Sequence, residues 1–147
     1  MDNRTVEILL IEDNMDDAEL TIYALKKGNI VNNIVHLTDG VAAIDYLFGR
    51  GEYAERNKDD KPKLILLDLK MPKLNGVEVL KAIKSDTATQ TIPVVVLTSS
   101  KEDPDIKKCY EMGVNSYIVK PVGFENFTLS VARLGMYWLL LNEQHKG

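Results

Sequence analysis

The sequence has only one cysteine, Cys109, so no disulfide can form within the chain, and no metal-ligating partner stands near it. A reducing compartment, the cytoplasm, is the expected location. An excess of basic residues is also missing. Lys and Arg total 18 against 22 Asp and Glu, a formal net charge of -4, which argues against the basic face a nucleic-acid partner requires. Long apolar runs are absent as well. The longest, residues 136–141, has six residues, against the roughly 20 that cross a bilayer. The start, MDNRTVEILLIED, sets acids on both sides of a four-residue apolar run, where a secretory leader has a basic start and a longer apolar stretch. Neither membrane insertion nor secretion is expected. His36 and His145 form no metal pattern and sit in no phosphorelay helix, so both read as structural or surface residues.

What is present suffices for one core. With 45% hydrophobic residues in 147, the chain is expected to fold as a single domain over 1–147 without staples and without a separate effector domain. Apolar runs of strand length, at 8–11, 34–37, 64–67, 94–97 and 117–119, alternate with segments of helical period at 16–27, 41–48, 77–85, 104–111 and 124–142. The strand candidates are apolar on consecutive positions, as strands buried on both faces are. Asp16, Asp39 or Gly40, Asn75 or Gly76, and Asp103 before Pro104 supply helix starts, and Gly28 and Gly113 stand where helices should stop. Five βα units of this kind predict an α/β doubly wound parallel sheet of flavodoxin-like order 2-1-3-4-5. Its ligand crevice lies beyond the carboxyl ends of the strands.

Those strand ends carry polar groups of complementary chemistry. Glu12 and Asp13 follow the first strand, Asp68 the third, Thr98, Ser99 and Ser100 the fourth, and Lys120 with Pro121 the fifth. One acid at a strand end is ordinarily a helix cap or a solvated charge. Three carboxylates in one crevice repel one another, and such a group persists mainly where a cation binds. Mg²⁺ suits it, since that ion takes one or two carboxylates, waters and phosphate oxygens. Asp13 and Asp68 are expected as direct ligands, Glu12 as a holder of metal-bound water, and the Lys70 carbonyl as a further ligand. A carboxylate attacks phosphorus poorly unless positive charge neutralises the oxygens; Lys120 would supply an ammonium. A cis Lys120-Pro121 peptide would aim it at the crevice, whereas an isolated lysine there is normally a solvated loop residue.

Glu12 and Asp13, Asp68 followed by Met71-Pro72 and Asn75-Gly76, Thr98, and Lys120-Pro121 together resemble the receiver domains of two-component response regulators, over residues 6 to about 141. The resemblance implies that Asp68 accepts a phosphoryl group from a phosphohistidine of a sensor histidine kinase. It also implies that Glu12 and Asp13 help bind Mg²⁺, that Thr98 senses the phosphoryl group and that Lys120 contacts it. Tyr117 falls at the family's switch aromatic, although a strand tyrosine partly packed on the last helix is an equal reading. Glu12 where most receivers have aspartate, and Lys70 two residues past the acceptor, depart from the commonest pattern. Lys70 and Ser100 are expected to tune loss of the phosphoryl group. The stretch from Lys120 and the ending around Trp138 are similar to stand-alone, phytochrome-associated regulators, which implies a phytochrome-like or hybrid kinase.

Output is then expected from the domain's own surface, since the only catalysis implied is its own phosphorylation and dephosphorylation. In the last helix Phe127, Val131, Leu134, Trp138 and Leu141 form one stripe, while Leu129, Met136 and Leu140 lie opposite. The second stripe points to a homodimer or a docked partner, unless a local loop covers it. Residues 49–63 are a long charged connection, expected to be mostly solvated. Three rival functions are weighed. A haloacid-dehalogenase hydrolase needs a second aspartate where Lys70 stands, and a flavodoxin needs a phosphate cradle where Glu12, Asp13, Asp16 and Asp17 stand. A receiver-like binding module that is never phosphorylated would carry a damaged acceptor site.

Overall fold

The structure, a computed structural model, describes residues 8–27, 33–56, 60–71, 73–99, 102–114 and 116–133. Expectations placed on Gly28, Pro72, Ser100 and His145, on the side chain of Val131, and on Leu134, Met136, Trp138, Leu140 and Leu141 lie outside the described residues.

Among those residues the chain alternates strand and helix throughout: β1 (Ile8–Ile11), α1 (Met15–Lys27), β2 (Ile34–Leu37), α2 (Gly40–Phe48), β3 (Leu64–Asp68), α3 (Gly76–Ser85), β4 (Val94–Thr98), α4 (Asp105–Glu111), β5 (Ser116–Val119) and α5 (Phe124–Arg133), with one 3-10 turn at Gly51–Tyr53. All strand pairs are parallel, in the order β2-β1-β3-β4-β5. That is the flavodoxin-like order expected from the alternation. The order reverses between β1 and β3, so the ends of these two strands open the crevice.

Because successive strand side chains point to opposite faces, the two faces of the sheet are covered by different helices. Leu9, Ile11, Ile65, Leu67, Val94 and Val96 pack with Leu47, Leu80, Ile83 and Cys109 from α2, α3 and α4. Ile8, Leu10, Leu64, Leu66, Val95 and Leu97 pack with Ala18, Leu25 and Phe127 from α1 and α5. Central strands β1, β3 and β4 are buried at every position, which explains why they are apolar on consecutive residues up to the polar ends of β3 and β4.

Local signals set several boundaries. Asp39 caps α2, its side chain accepting from the Ala42 amide at 2.8 Å, and Gly49 ends that helix at φ 64°. Asn75 and Glu78 form a capping box at α3. Some expected limits shift by a residue. Asp68 and Thr98 are the last residues of β3 and β4 rather than loop residues, because each stays paired in the ladder. Helix α4 starts at Asp105, with Asp103 accepting from the Asp105 amide at 2.9 Å.

The connection after α2 meets its expectation only in part: Arg50, Gly51, Glu52, Ala54 and Glu55 are exposed, whereas Tyr53 and Arg56 are not. Tyr53 meets Tyr46 edge-on with ring centroids 5.1 Å apart, and the Arg56 guanidinium lies 3.9 Å from the Tyr46 ring centroid while donating to the Tyr46 carbonyl at 2.9 Å. Tyr53 and Arg56 therefore tie the loop to α2, since a guanidinium stacked on an aromatic face shields apolar surface that charge alone would leave wet.

Candidate functional site

At the end of β1, Glu12 is fully buried and Asp13 partly so. His36 Nε2 of β2 donates to the Glu12 carbonyl at 2.8 Å, the Glu12 amide donates to the Leu37 carbonyl, and Glu12 Oε2 accepts from the Asn14 amide at 3.2 Å. At the end of β3, Asp68 is 2% exposed and its Oδ1 accepts from the Lys70 amide at 3.3 Å. Carboxylate oxygens of Glu12, Asp13 and Asp68 lie within 4.8 Å of one another. The strand ends thus gather the three acids picked out in the sequence.

Lys120 reaches the same point from the end of β5, where its amide donates to the Thr98 carbonyl at 2.8 Å and its bond to Pro121 is cis. Its Nζ lies 3.2 Å from Glu12 Oε1, 2.9 Å from Asp17 Oδ2 and 3.5 Å from Asp68 Oδ2. The ammonium is therefore directed into the crevice. A cleft of about 200 Å³ beside it is lined by Asp13, Asn14, Asp17, Asp68, Lys70, Ser99 and Lys120.

Electrostatics follow from burial and like charge. Burial, then the hydrogen bond and charge of Glu12, push the Asp68 carboxyl up to about 8 despite Lys120 and the Lys70 amide. Burial alone would lower the Lys120 ammonium, but Asp17, Asp68 and Glu12 outweigh it and hold its pKa above the ordinary lysine value. Glu12, Asp13, Asp17 and Asp68 outnumber Lys120 and Lys70 around the cleft, which leaves surplus negative charge. That surplus, with three oxygens converging from two strand ends, is a donor set suited to a hard divalent cation.

Thr98 is 1% exposed, and its Oγ1 donates to Asp103 Oδ2 at 3.2 Å. It stands at the end of β4 as expected, but it does not line the cleft at Asp68, where Ser99 does. The exposed Lys70 ammonium lies 4.0 Å from Asp103 Oδ2. Tyr117, half-buried on β5, meets Tyr110 of α4 edge-on with centroids 6.3 Å apart. Its ring partner thus comes from α4, although Tyr117 also borders a groove with Leu129, Ser130 and Arg133 of α5.

Three residues of the site were not singled out by sequence reasoning. Asp17 looks like one more acid in the first turn of α1, yet its Oδ2 lies 2.9 Å from the Lys120 ammonium. Asp103 reads only as a helix start. His36 gives no signal at all, because its partner is a main-chain carbonyl 24 residues away.

The sequence profile of the response regulator receiver domain matches residues 8–132. Bacteriophytochrome response regulator RtBRR is 47% identical, with a TM-score of 0.84 over 92% of this chain and 81% of that one. Response regulator Rcp1 of Synechocystis sp. is 39% identical over 132 residues, 90% of this chain and 88% of that protein. The Mn²⁺-bound form of Rcp1 has a TM-score of 0.73 at 38% identity, covering 94% and 95% of the two chains. The phosphorylated cyanobacterial phytochrome response regulator RcpA gives 0.75 at 38% identity, covering 92% and 95%. With its strand order, its acidic strand ends and this match across most of its length, the chain belongs to the response regulator receiver domain family.

Proposed function

We propose that the chain is a two-component response regulator in which Asp68 accepts a phosphoryl group from a histidine kinase in a Mg²⁺-dependent reaction. The observation that carries this reading is the buried Asp68 carboxylate, set between two further acids and 3.5 Å from the Lys120 ammonium. Asp13, Asp68 and the Lys70 carbonyl would hold the cation, with Glu12 behind them. A divalent cation there supplies positive charge against the phosphoryl oxygens. An Asp68 oxygen forms the new P–O bond as the P–N bond of the phosphohistidine breaks, and the leaving imidazole keeps the electron pair and takes a proton from solvent. Lys120 moves from its carboxylate partners toward the phosphoryl oxygens, and Thr98 donates a hydrogen bond to one of them. Beyond its own phosphorylation and dephosphorylation the protein catalyses nothing.

The similarity to regulators named for bacteriophytochromes supports a phytochrome-like kinase as donor, and the Mn²⁺-bound and phosphorylated relatives support the cation and the acceptor role. Output passes through protein contacts of the α4, β5 and α5 face, where Tyr110 and Leu129 are exposed beside Tyr117. Action in the cytoplasm fits the buried free thiol of Cys109. Incubation with acetyl phosphate should add one phosphoryl mass with Mg²⁺ and almost none without it. An Asp68→Asn protein gaining the same mass would refute the site.

A further inference from the structure

The Asp103 carboxylate sits where three groups meet. It is 9% exposed. One oxygen, Oδ2, accepts the Thr98 hydroxyl at 3.2 Å and lies 4.0 Å from the Lys70 ammonium. The other, Oδ1, accepts the Asp105 amide at 2.9 Å, and the Asp103 carbonyl accepts the Ile106 amide at 3.1 Å. A single side chain therefore joins the end of β4 to the first turn of α4.

A threonine hydroxyl has one proton to donate. In this structure that proton is directed to Asp103, and it cannot be given at the same time to a phosphoryl oxygen on Asp68. We propose that Asp103 is a positioning residue for phosphoryl transfer: it holds the Thr98 hydroxyl in the unphosphorylated arrangement, and release of that bond accompanies acceptance of the phosphoryl group. This rests on the reading of Asp68 as the phosphoacceptor. When Thr98 turns to the phosphoryl group, Asp103 loses a donor, Lys70 is the nearby cation that takes its place, and the start of α4 loses its tie to β4. An interaction made only in the unphosphorylated state opposes phosphorylation by its own strength.

Two measurements on the full chain test this. In the first, the rate of phosphoryl gain from acetyl phosphate with Mg²⁺ should rise about tenfold or more in Asp103→Ala, as loss of one charge-assisted hydrogen bond implies. Asp103→Asn, which keeps an acceptor oxygen, should lie nearer the starting protein. Adding Asp103→Ala to a Thr98→Val protein should change nothing further. An unchanged rate in Asp103→Ala, or the same acceleration without the Thr98 hydroxyl, overturns the proposal. The second measurement needs no phosphoryl group. Hydrogen exchange at the Asp105 amide should be about threefold faster in Thr98→Val, as expected when one hydrogen bond supporting its acceptor is lost, and unchanged in Thr98→Ser. Equal exchange in the valine and serine variants overturns the proposal. If the starting protein gains no phosphoryl mass at all, the Asp68 reading fails, while the exchange result still decides the role of Asp103.

Discussion

At the scale of single residues, the crevice trades stability for charge. The Asp68 carboxyl titrates near 8 in the folded protein against an ordinary 3.8, chiefly because it is buried and then because Glu12 is beside it. Its folded pKa is the higher one, so between these values the folded state binds the proton more tightly. Stability from this group is therefore greatest below about pH 4 and is lost as pH rises through about 8. The difference in unfolding free energy between the starting protein and Asp68→Asn should grow as pH rises from about 4 to about 8, by at most about 1.4 kcal/mol per pH unit, and then level off, measured by urea titration without divalent cation. Taking the difference cancels carboxylates of opposite sign, such as Asp39, held low mainly by the Ala42 amide. Mg²⁺ competes with that proton, so its stabilising effect should be larger at about pH 8.5 than at about pH 6. A Mg²⁺-dependent shift in melting temperature independent of pH would contradict this. Lys120→Met should lower stability by about 1–3 kcal/mol at neutral pH without added cation, since Glu12 is fully buried and would lose its ammonium.

At the scale of elements, the site depends on how closely α3 approaches β3. A Cβ added at Gly76 would overlap the Asp68 carbonyl and the Leu69 Cα, both main-chain atoms that cannot swing aside. Alanine within a helix gains about 1 kcal/mol over glycine, but this contact opposes it, and overpacking typically costs about 1–3 kcal/mol. Gly76→Ala is therefore expected to be destabilising and to slow phosphoryl gain at Asp68 by displacing the acceptor's own backbone. A stabilised variant with an unchanged rate would show that α3 can back away. Phe127 anchors α5 from the other side of the sheet and is fully buried. Its replacement by alanine should cost about 3–5 kcal/mol in urea unfolding.

At the scale of the whole molecule, the crevice lies at the strand ends, whereas the groove of the α4, β5 and α5 face runs along β5 between Tyr110 and Leu129. Leu129, the one described residue of the apolar side expected on α5, is 53% exposed, and Tyr110 of α4 is 45% exposed across the same groove. Sedimentation of the phosphorylated protein over a range of concentrations should show self-association, weakened by Leu129→Lys without change in the rate of phosphoryl gain. Identical sedimentation for both proteins would remove this face from the interface.

The alternation of apolar runs and helical segments determined the sheet, its order and the burial of its central strands, because a strand covered on both faces is apolar at successive positions and takes a polar residue only at its end, as β3 does at Asp68 and β4 at Thr98. The same local patterns placed Glu12, Asp13, Asp68, Thr98 and Lys120 at strand ends, where parallel topology must gather them. Tertiary structure alone decided the partners. Asp17 joins Lys120 across 103 residues, His36 holds the Glu12 carbonyl, and the Thr98 hydroxyl is directed to Asp103. The docking of Arg56 on Tyr46 was hidden for the same reason. Sequence pattern reports which face a residue occupies, whereas a hydrogen bond depends on where two side chains end in space, and only the packed sheet sets that.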